Sequence, residues 1–284
     1  MIKKFKKLIW HGLRLSVALM IDLFSKNSLC RHLMDRLFNI IMCRTRKVIH
    51  RDIELSFVTP NSVSLARADS FSSKEPETLE WIDSMEKGSV VWDIGANVGL
   101  YSCYAAKKQE CKVYAFEPSV FNLELLARNI FLNNLTQKIV IVPTPLSNKL
   151  SINTLNMSMT DWGGAMSTFG KAYTHDGKPL NKVFEFSTVG MSMDDAIKRL
   201  GIMCPDYIKM DVDGIEHLIL EGGKGVLSQI KGILIEINDE YQEQSLKTFR
   251  YLTMAGLELI EKRHSSMFEN TFVFNQIWRR RTVN

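Results

Sequence analysis

Residues 90–102 read Val-Val-Trp-Asp-Ile-Gly-Ala-Asn-Val-Gly-Leu-Tyr-Ser, a short apolar run that passes through two glycines into helix-forming residues. This pattern predicts a strand, a tight turn and the start of a helix. Gly95 permits backbone angles that are closed to other residues, and Gly99 lets the following helix approach closely. The N–H groups of the turn and the N-terminus of the helix therefore face whatever binds there.

The spacing of polar residues around this turn narrows the class of ligand. A dinucleotide motif Gly-x-Gly-x-x-Gly that starts at Gly95 requires glycine where Asn97 and Leu100 stand. Asp93, at the strand end, suits a ligand that carries positive charge or hydroxyl groups. A second strand is predicted to end at Glu117-Pro118, about 20 residues after the turn, where a carboxylate accepts hydrogen bonds from both ribose hydroxyls. A ribose beside an amino-acid-like cation describes S-adenosylmethionine better than a nicotinamide dinucleotide.

Composition places the chain among globular proteins with one large domain and an appendage. It has 284 residues, of which 45% are hydrophobic. Residues 1–51 contain twelve Lys or Arg and two Asp, a net charge of +10, whereas the remainder carries −5. The five cysteines form no Cys-x-x-Cys pair, which favours reduced thiols in the cytoplasm and disfavours a disulfide framework or a zinc cluster. We therefore predict no resident metal.

Residues 1–51 are predicted to form a basic amphipathic helical arm. Arg14 and Asp22 interrupt its apolar stretch, which argues against a secretory signal and a membrane span. Peripheral contact of residues 1–50 with the inner face of a membrane is one interpretation, and packing on the following domain is the other. The lack of interleaved aromatic residues disfavours nucleic acid as a partner. The predicted apolar face comprises Ile2, Phe5, Leu8, Ile9, Leu13, Val17, Met20, Ile21 and Phe24.

Residues 52–284 are predicted to form one α/β domain. Residues 53–58 alternate like a strand, with residues 63–66 as the return of a hairpin. After the glycine turn, predicted helices alternate with apolar strands at 113–116 and 139–142, which specifies parallel strands with right-handed crossovers. Because ligands bind at the carboxyl ends of such strands, Ser147 is predicted to line an adenine pocket.

The stretch at about 150–187 loses this regularity and is rich in turn-forming residues. We predict an irregular insertion that binds the acceptor, with Trp162 and His175 as contacts, since aromatic and polar groups stack on sugar rings and hydrogen-bond to them. The alternative is a β-hairpin extension that serves only packing.

Two further strands bring carboxylates toward the same edge of the sheet. In residues 207–216, the alternation of a strand puts Lys209 and Asp211 on one face. The next strand ends in Glu236 and Asn238. We predict Asp211 as the catalytic base or hydroxyl orienter, Lys209 as the group that sets its charge, and Glu236 and Asn238 as substrate contacts. A divalent metal held by Asp211, Glu236 and Asn238 is an alternative role for these residues.

The order of these motifs resembles that of the FkbM-type methyltransferases. The resemblance spans roughly residues 75–275 and is most specific at Ile-Lys-Met-Asp-Val-Asp-Gly-x-Glu, residues 208–216. Asp213 is a mild departure, since members more often have Glu there. The resemblance implies an α/β fold with a Rossmann-like, mostly parallel seven-stranded sheet flanked by helices, and S-adenosylmethionine as the donor. It also implies O-methylation of a hydroxyl on a sugar, glycan or natural product.

This resemblance completes the site prediction and leaves two alternatives. Asp93, Gly95, Asn97 and Gly99 are expected around the methionine portion of the cofactor, with Glu117 and Pro118 at its ribose. One alternative is a catalytically inert methyltransferase-like module attached to a membrane through the basic arm. The other is a nicotinamide-linked oxidoreductase, which the incomplete glycine motif opposes. The sequence predicts neither the acceptor nor the oligomeric state.

Overall fold

The computed structural model describes residues 2–264 and 271–281 and divides into two units, Met1–Arg44 and Thr45–Asn284. The N-terminal unit contains helices α1 (Ile2–Ser25) and α2 (Ser28–Met42). Asn27 caps α2, because its side chain accepts hydrogen bonds from the backbone N–H groups that follow it. The side chains of residues 2–10 lie outside the described part, and so does the share of the predicted apolar face that Ile2, Phe5, Leu8 and Ile9 form.

The larger unit is built on a seven-stranded sheet with the order β11-β12-β10-β9-β3-β4-β5. Five neighbouring strands are parallel, and β12 and β11 are antiparallel additions at one edge. The predicted mostly parallel, seven-stranded Rossmann-like sheet is confirmed. Its strands are β3 (Val90–Ile94), β4 (Lys112–Phe116), β5 (Ile139–Val142), β9 (Tyr207–Met210), β10 (Gly232–Asn238), β11 (Leu257–Arg263) and β12 (Val273–Arg280).

Helices cover the sheet and bury a core in which Trp92, Phe116 and Trp278 are almost fully enclosed. Parallel strands that are covered on both faces read as continuous apolar runs, and β3 and β10 do so. The helices of this unit are α3 (Ser62–Asp69), α4 (Pro76–Asp83), α5 (Leu100–Lys108), α6 (Val120–Leu132), α7 (Met193–Leu200), α8 (Glu216–Glu221), α9 (Lys224–Leu227) and α10 (Gln242–Met254).

The strand order positions the site. The chain builds β3, β4 and β5 outward in one direction and then returns to place β9 on the other side of β3. In parallel α/β sheets, ligands bind outside the carboxyl ends of the strands where the order reverses in this way. Asp93 of β3 and Lys209 of β9 are directly paired across this switch point.

Two predictions near the start of the domain are wrong. Residues 45–50 form strand β1, which pairs antiparallel with β2 (Ile53–Val58), so the predicted arm boundary at residue 51 falls inside a hairpin. The predicted return strand at 63–66 lies in α3. Arg46 and Lys47 of β1 caused the first error, since they lie on an exposed strand and extend the positive charge of the arm. Asn61 caused the second, because it caps α3 with a capping box that ends the extended chain.

The insertion is more regular than predicted. Residues 151–190 form a three-stranded antiparallel sheet with the order β7-β6-β8, made of β6 (Ser151–Met157), β7 (Ser167–Phe169) and β8 (Phe184–Gly190). Gly190 is needed at the base of this sheet, since a Cβ there would lie 2.3 Å from the ring of Phe169. Its strands are largely polar and partly exposed, which hid them from a search for apolar strands.

Candidate active site

A cavity with a volume of about 580 Å³ opens at the carboxyl ends of β3, β4, β9 and β10. This size lies within the usual range of small-molecule sites. Eight of the predicted site residues line it, namely Gly95, Asn97, Glu117, Pro118, His175, Asp211, Glu236 and Asn238. The fold therefore brings together residues that are separated by up to about 140 positions in the sequence.

The turn after β3 depends on glycine for a steric reason as well as a conformational one. Gly95 has φ +85°, and a Cβ at this position would lie 1.8 Å from the backbone oxygen of Asp211. The turn therefore packs directly on the end of β9. Gly99 has φ +82° and precedes α5, and its missing side chain makes room for Leu126 of α6. Gly99 therefore allows α6 to pack closely against the turn, and it does not line the cavity.

Glu117 is held rigidly at the end of β4. One carboxylate oxygen accepts a hydrogen bond from the backbone N–H of Asn97 at 2.8 Å, and the other accepts one from Ser119 at 2.8 Å. Burial raises the pKa of Glu117 to about 7, although these N–H groups favour the charged form. Each oxygen keeps lone pairs for a further donor, such as a ribose hydroxyl.

Asp93 lies beneath the turn rather than on the cavity wall. Its side chain is buried and accepts a hydrogen bond from the hydroxyl of Ser102 at 2.5 Å. Its second oxygen, Oδ1, has no hydrogen-bond partner among the described residues and lies 4.0 Å from Nζ of Lys209. Burial raises the pKa of Asp93, and the positive charge of Lys209 only partly offsets this effect.

Lys209 and Asp211 form an ion pair that extends from the core to the cavity. Nζ of Lys209 lies 3.4 Å from Oδ2 of Asp211. Burial alone would lower the pKa of Lys209, but Asp211, Asp93 and further carboxylates raise it, so the ammonium stays charged. Burial likewise opposes the charge of Asp211, yet Lys209, Lys74 and Arg67 hold its pKa below the ordinary value. Asp211 is therefore an ionised carboxylate in the cavity wall, with a fixed cation behind it.

The carboxyl groups that surround Asp211 have raised pKa values, in contrast to the lowered pKa of Asp211 itself. Burial and the charge of Asp211 raise the pKa of Asp213 to about 6 and that of Glu236 well above its ordinary value. Burial also raises the pKa of Glu216 to about 7, and this side chain holds the loop after β9 by accepting hydrogen bonds from Val212 and Gly214. A carboxyl group with a lowered pKa beside others with raised pKa values is an arrangement that separates acid and base roles.

A sequence profile described as the methyltransferase FkbM domain matches residues 93–272, which are more than half of the chain. These residues carry the turn, Glu117, the Lys209–Asp211 pair and Glu236. The chain belongs to the FkbM methyltransferase family. This membership decides against the oxidoreductase alternative and assigns S-adenosylmethionine as the methyl donor.

Curated relatives of this FkbM methyltransferase are distant. Hexuronic acid methyltransferase AglP of Haloferax volcanii is 25% identical over 55% of this chain and 59% of its own length. Methyltransferase sdnD of Sordaria araneosa is 27% identical over 50% of this chain and 62% of its own length. The chain thus spans about three fifths of each of these relatives. Among solved structures, TYW2 of M. jannaschii in complex with AdoMet covers 84% of this chain and 88% of its own, with 15% identity and a TM-score of 0.44.

The site of this FkbM methyltransferase fits the cofactor chemically. Gly95 and Asn97 of the turn line the cavity, Glu117 offers lone pairs where a ribose is expected, and the orphaned oxygen of buried Asp93 lies beneath the turn. A sulfonium and an ammonium group carry positive charge, so a wall rich in carboxylates suits them.

Ser147, the residue predicted in the adenine pocket, lies away from the cavity. Its backbone N–H donates to the carbonyl of Met191 at 2.8 Å, which ties the chain after β5 to the end of β8. The cavity wall is formed instead by the three residues before it, Thr144, Pro145 and Leu146. The loop therefore borders the cavity, whereas Ser147 itself is not among the lining residues.

Trp162 also lies away from the cavity, whereas Gly164, two residues later, is fixed at its wall. The carbonyl of Trp162 accepts a hydrogen bond from Asn61 at 3.0 Å. Asn122 binds both the N–H of Gly163 and the carbonyl of Gly164, and Asn97 also donates to Gly164 at 2.7 Å. The insertion is thereby anchored to the turn that is predicted to hold the cofactor.

Sequence reasoning missed several cavity residues, including Arg67, Lys74, Asn122 and Asp213. Arg67 and Lys74 lie before the first strand of the main sheet, where no motif marks them. The sequence did contain a signal for Asn122. It lies in the first turn of the helix that follows Glu117-Pro118, and this turn is at the same edge of the sheet as Glu117. Within the described ranges, no three His, Cys, Asp or Glu side chains come close enough to hold a metal ion.

Proposed function

We propose that the chain transfers a methyl group from S-adenosylmethionine to a hydroxyl group of a sugar, glycan or natural product. The observation that carries this proposal is the ionised Asp211 in the cavity wall, held 3.4 Å from the buried ammonium of Lys209. The name of the AglP relative, a hexuronic acid methyltransferase, supports a sugar as the acceptor class.

The proposed cofactor contacts follow the strand ends. Gly95 and Asn97 face the methionine portion, Glu117 and Pro118 the ribose, and the loop 144–146 the adenine. Asp93 and Gly99 make no direct contact with the cofactor. Asp93 contributes a buried carboxyl group beneath the turn, and Gly99 allows the close packing that fixes the conformation of the turn. When bound, S-adenosylmethionine supplies an electrophilic methyl group on a sulfonium centre.

The proposed catalytic step needs alignment and removal of one proton. Asp211 accepts a hydrogen bond from the acceptor hydroxyl, orients its oxygen and takes its proton as the new C–O bond forms. Lys209 keeps Asp211 ionised until that moment. Glu236, whose pKa is raised by burial and by the charge of Asp211, is placed to donate a hydrogen bond to the acceptor, and Asn238 and His175 lie on the same wall.

Substitution of Asp211 tests this role. Asp211→Asn keeps the shape of the side chain and removes the base, so we expect methyl transfer to fall by about 10²- to 10⁴-fold. Binding of S-adenosylhomocysteine, measured by calorimetry, is expected to change by less than about threefold, since a neutral amide removes no cofactor contact. The matched control is Asp69→Asn, an exposed carboxylate that pairs with Arg46. Full activity of Asp211→Asn would contradict the mechanism.

A comparison of molecular masses tests the acceptor class. Glycans and metabolites extracted from cells with and without the gene are compared by mass spectrometry for a species heavier by one CH₂ group. A methylated carbohydrate or natural product that disappears with the gene, and on Asp211→Asn, supports the proposal. A methylated protein or nucleic acid as the only difference would contradict it.

We also propose that the N-terminal unit attaches peripherally to an anionic membrane surface. Large apolar side chains on both of its helices are exposed, for example Leu19 at 70% and Leu29 at 68%. In α2, Leu29, Leu33, Leu37 and Ile40 follow one another at three- and four-residue steps, which puts them on one face. The excess of Lys and Arg in residues 1–51 supplies the matching positive charge. No helix in the described residues is long and apolar enough to cross a membrane.

Vesicle sedimentation tests this attachment. The chain is expected to bind vesicles of phosphatidylcholine with phosphatidylglycerol, to bind pure phosphatidylcholine far more weakly, and to lose affinity as salt is raised. Equal binding to both compositions would contradict the electrostatic part. Cofactor and vesicle binding without methyl transfer to any acceptor would favour the inert, membrane-attached module instead.

A further inference from the structure

A small recess of about 40 Å³ adjoins the main cavity at the Gly95 turn. Gly95, Asn97 and Asp211 line both spaces, so the recess begins where the methionine portion of the cofactor is proposed to lie. Its volume is close to that of one or two water molecules at about 30 Å³ each, which is room for a group as small as a carboxylate. The charged side chains of its wall are Arg67, Lys74, Glu75, Lys209 and Asp211.

Four of these five charges are already matched. Lys74 lies 2.7 Å from the carboxylate of Glu75, and Lys209 lies 3.4 Å from that of Asp211. Arg67 differs from them, because no carboxylate in the described part of the chain lies within ion-pair distance of its guanidinium. The recess therefore presents one cation without a matching anion.

The guanidinium of Arg67 is also fixed in place. Arg67 lies in the last turn of α3, and its Nε donates to the carbonyl of Gly163 at 2.5 Å. Its two terminal amino groups have no hydrogen bond to any described residue, although both Arg67 and Lys74 line the recess and the main cavity. A planar guanidinium with free terminal N–H groups matches the geometry of a carboxylate, which it binds through two parallel hydrogen bonds.

We propose that Arg67 binds the carboxylate of the cofactor's methionine moiety, with Lys74 adding positive charge beside it. This inference rests on the proposed placement of that moiety at the Gly95 turn. The methionine moiety is a zwitterion, and Glu75 in the same recess supplies negative charge for its ammonium group while Arg67 binds its carboxylate. Arg67 precedes residues 93–272, the range that the family profile matches, so this contact is contributed by a part of the chain that the profile does not cover.

Two nucleosides that differ in the amino-acid portion test this contact by calorimetry, with no need for an acceptor. S-adenosylhomocysteine carries the carboxylate, and 5′-methylthioadenosine lacks the whole amino-acid group. Arg67→Met is expected to weaken S-adenosylhomocysteine binding by about 10- to 100-fold, the effect of losing a charged hydrogen-bonded pair. Binding of 5′-methylthioadenosine is expected to change by less than about twofold, because that ligand never reaches the recess.

Control and second variants complete the design. Arg128→Met removes an exposed arginine that pairs with Glu124, and it should alter neither affinity. Arg67→Gln keeps an amide donor for Gly163 and removes the charge, and it should reproduce the selective loss even if the Met variant fails to fold. Equal weakening of both ligands, or of neither, would overturn the role of Arg67. Failure of the unaltered chain to bind either nucleoside would contradict the cofactor assignment at the Gly95 turn and the role of Arg67 with it.

Discussion

At the scale of single residues, the site depends on which carboxyl groups are allowed to ionise. Asp211 has a buried ammonium behind it and stays charged, whereas Glu117, Asp213, Glu216 and Glu236 have pKa values raised by burial. Carboxyl groups of the same site can thus serve either as hydrogen-bond acceptors or as hydrogen-bond donors. The distinction comes from position relative to Lys209 rather than from residue type.

Gly95 provides a steric prediction with a matched control. Gly88 has φ +76° and open space where a Cβ would lie, whereas Gly95 has φ +85° and the oxygen of Asp211 at 1.8 Å from a Cβ. Gly88→Ala is expected to cost about 1–2 kcal/mol in the free energy of unfolding, the strain of a left-handed residue. Gly95→Ala should cost more and should weaken S-adenosylhomocysteine binding at least about tenfold. Urea unfolding and calorimetry measure both, and equal effects of the two variants would contradict the close contact.

Glu216 provides a prediction on pH. Its pKa is raised from 4.5 to about 7 by burial, so the folded chain holds a proton that the unfolded chain has lost between these values. Stability from this group is therefore present at low pH and is lost as pH rises toward about 7. Glu216→Gln cannot ionise, so its free energy of unfolding should fall less steeply with pH between 5 and 7, by up to about 1.4 kcal/mol per unit. Exposed Glu110→Gln should keep the steeper slope, and parallel curves for Glu216→Gln and the unaltered chain would disprove the shift.

At the scale of elements, the insertion is tied to the cofactor turn by amide side chains. Asn122 at the start of α6 binds Gly163 and Gly164, and Asn97 of the turn binds Gly164. Because Gly164 lies at the cavity wall, movement of the insertion is coupled to the turn through these bonds. The small sheet of residues 151–190 serves as the support from which this anchored loop extends.

Removing the anchor should loosen the insertion. Asn122→Ala leaves buried backbone groups of Gly163 and Gly164 without that partner, so we expect a loss of about 1–3 kcal/mol in the free energy of unfolding. Hydrogen exchange at the amide of Gly163 should become faster. Asn148→Ala removes an exposed amide that binds Glu221 and should leave this exchange rate unchanged. An unaltered Gly163 amide in Asn122→Ala would show that other contacts hold the loop.

Helix α2 gives a prediction for the proposed membrane surface. Leu33 lies on the exposed apolar face, and Asn39 lies on the polar side of the same helix. Leu33→Glu and Asn39→Glu add the same charge, but only the first removes an apolar group worth about 1.5–3 kcal/mol on burial. Leu33→Glu should therefore lower affinity for anionic vesicles at least about tenfold more than Asn39→Glu does. Equal losses would mean that charge alone governs the attachment.

At the scale of the whole molecule, the main sheet was predictable because its signals are local and repeated. Apolar runs such as residues 90–94 and 232–238 mark buried parallel strands, and the turn at Gly95 marks the central crossover. Strands β1 and β11 and the insertion were not predictable in this way. Their strands are polar or half-exposed, so their stability comes from pairing across the chain and not from an apolar pattern.

The candidate site was predictable to the extent that it follows strand ends. Asp211, Glu236 and Glu117 were located by this rule, and the cavity contains them. Arg67 and Asn122 were missed because their place depends on how helices pack over the sheet, which no local pattern encodes. Ser147 does not line the cavity although Leu146 does, because the rule for strand ends locates the loop and not which of its residues face the cavity. Trp162, predicted from its aromatic side chain in the insertion, lies two residues before Gly164, which lines the cavity.

The position of β12 has a consequence for synthesis on the ribosome. Residues 273–280 lie between β10 and β11 in the sheet, so β10 keeps an unpaired edge until they have emerged from the exit tunnel. Until then, an apolar strand with free backbone groups can template pairing with another nascent chain. Late arrival of β12 therefore prolongs the interval in which the growing sheet can associate with other chains.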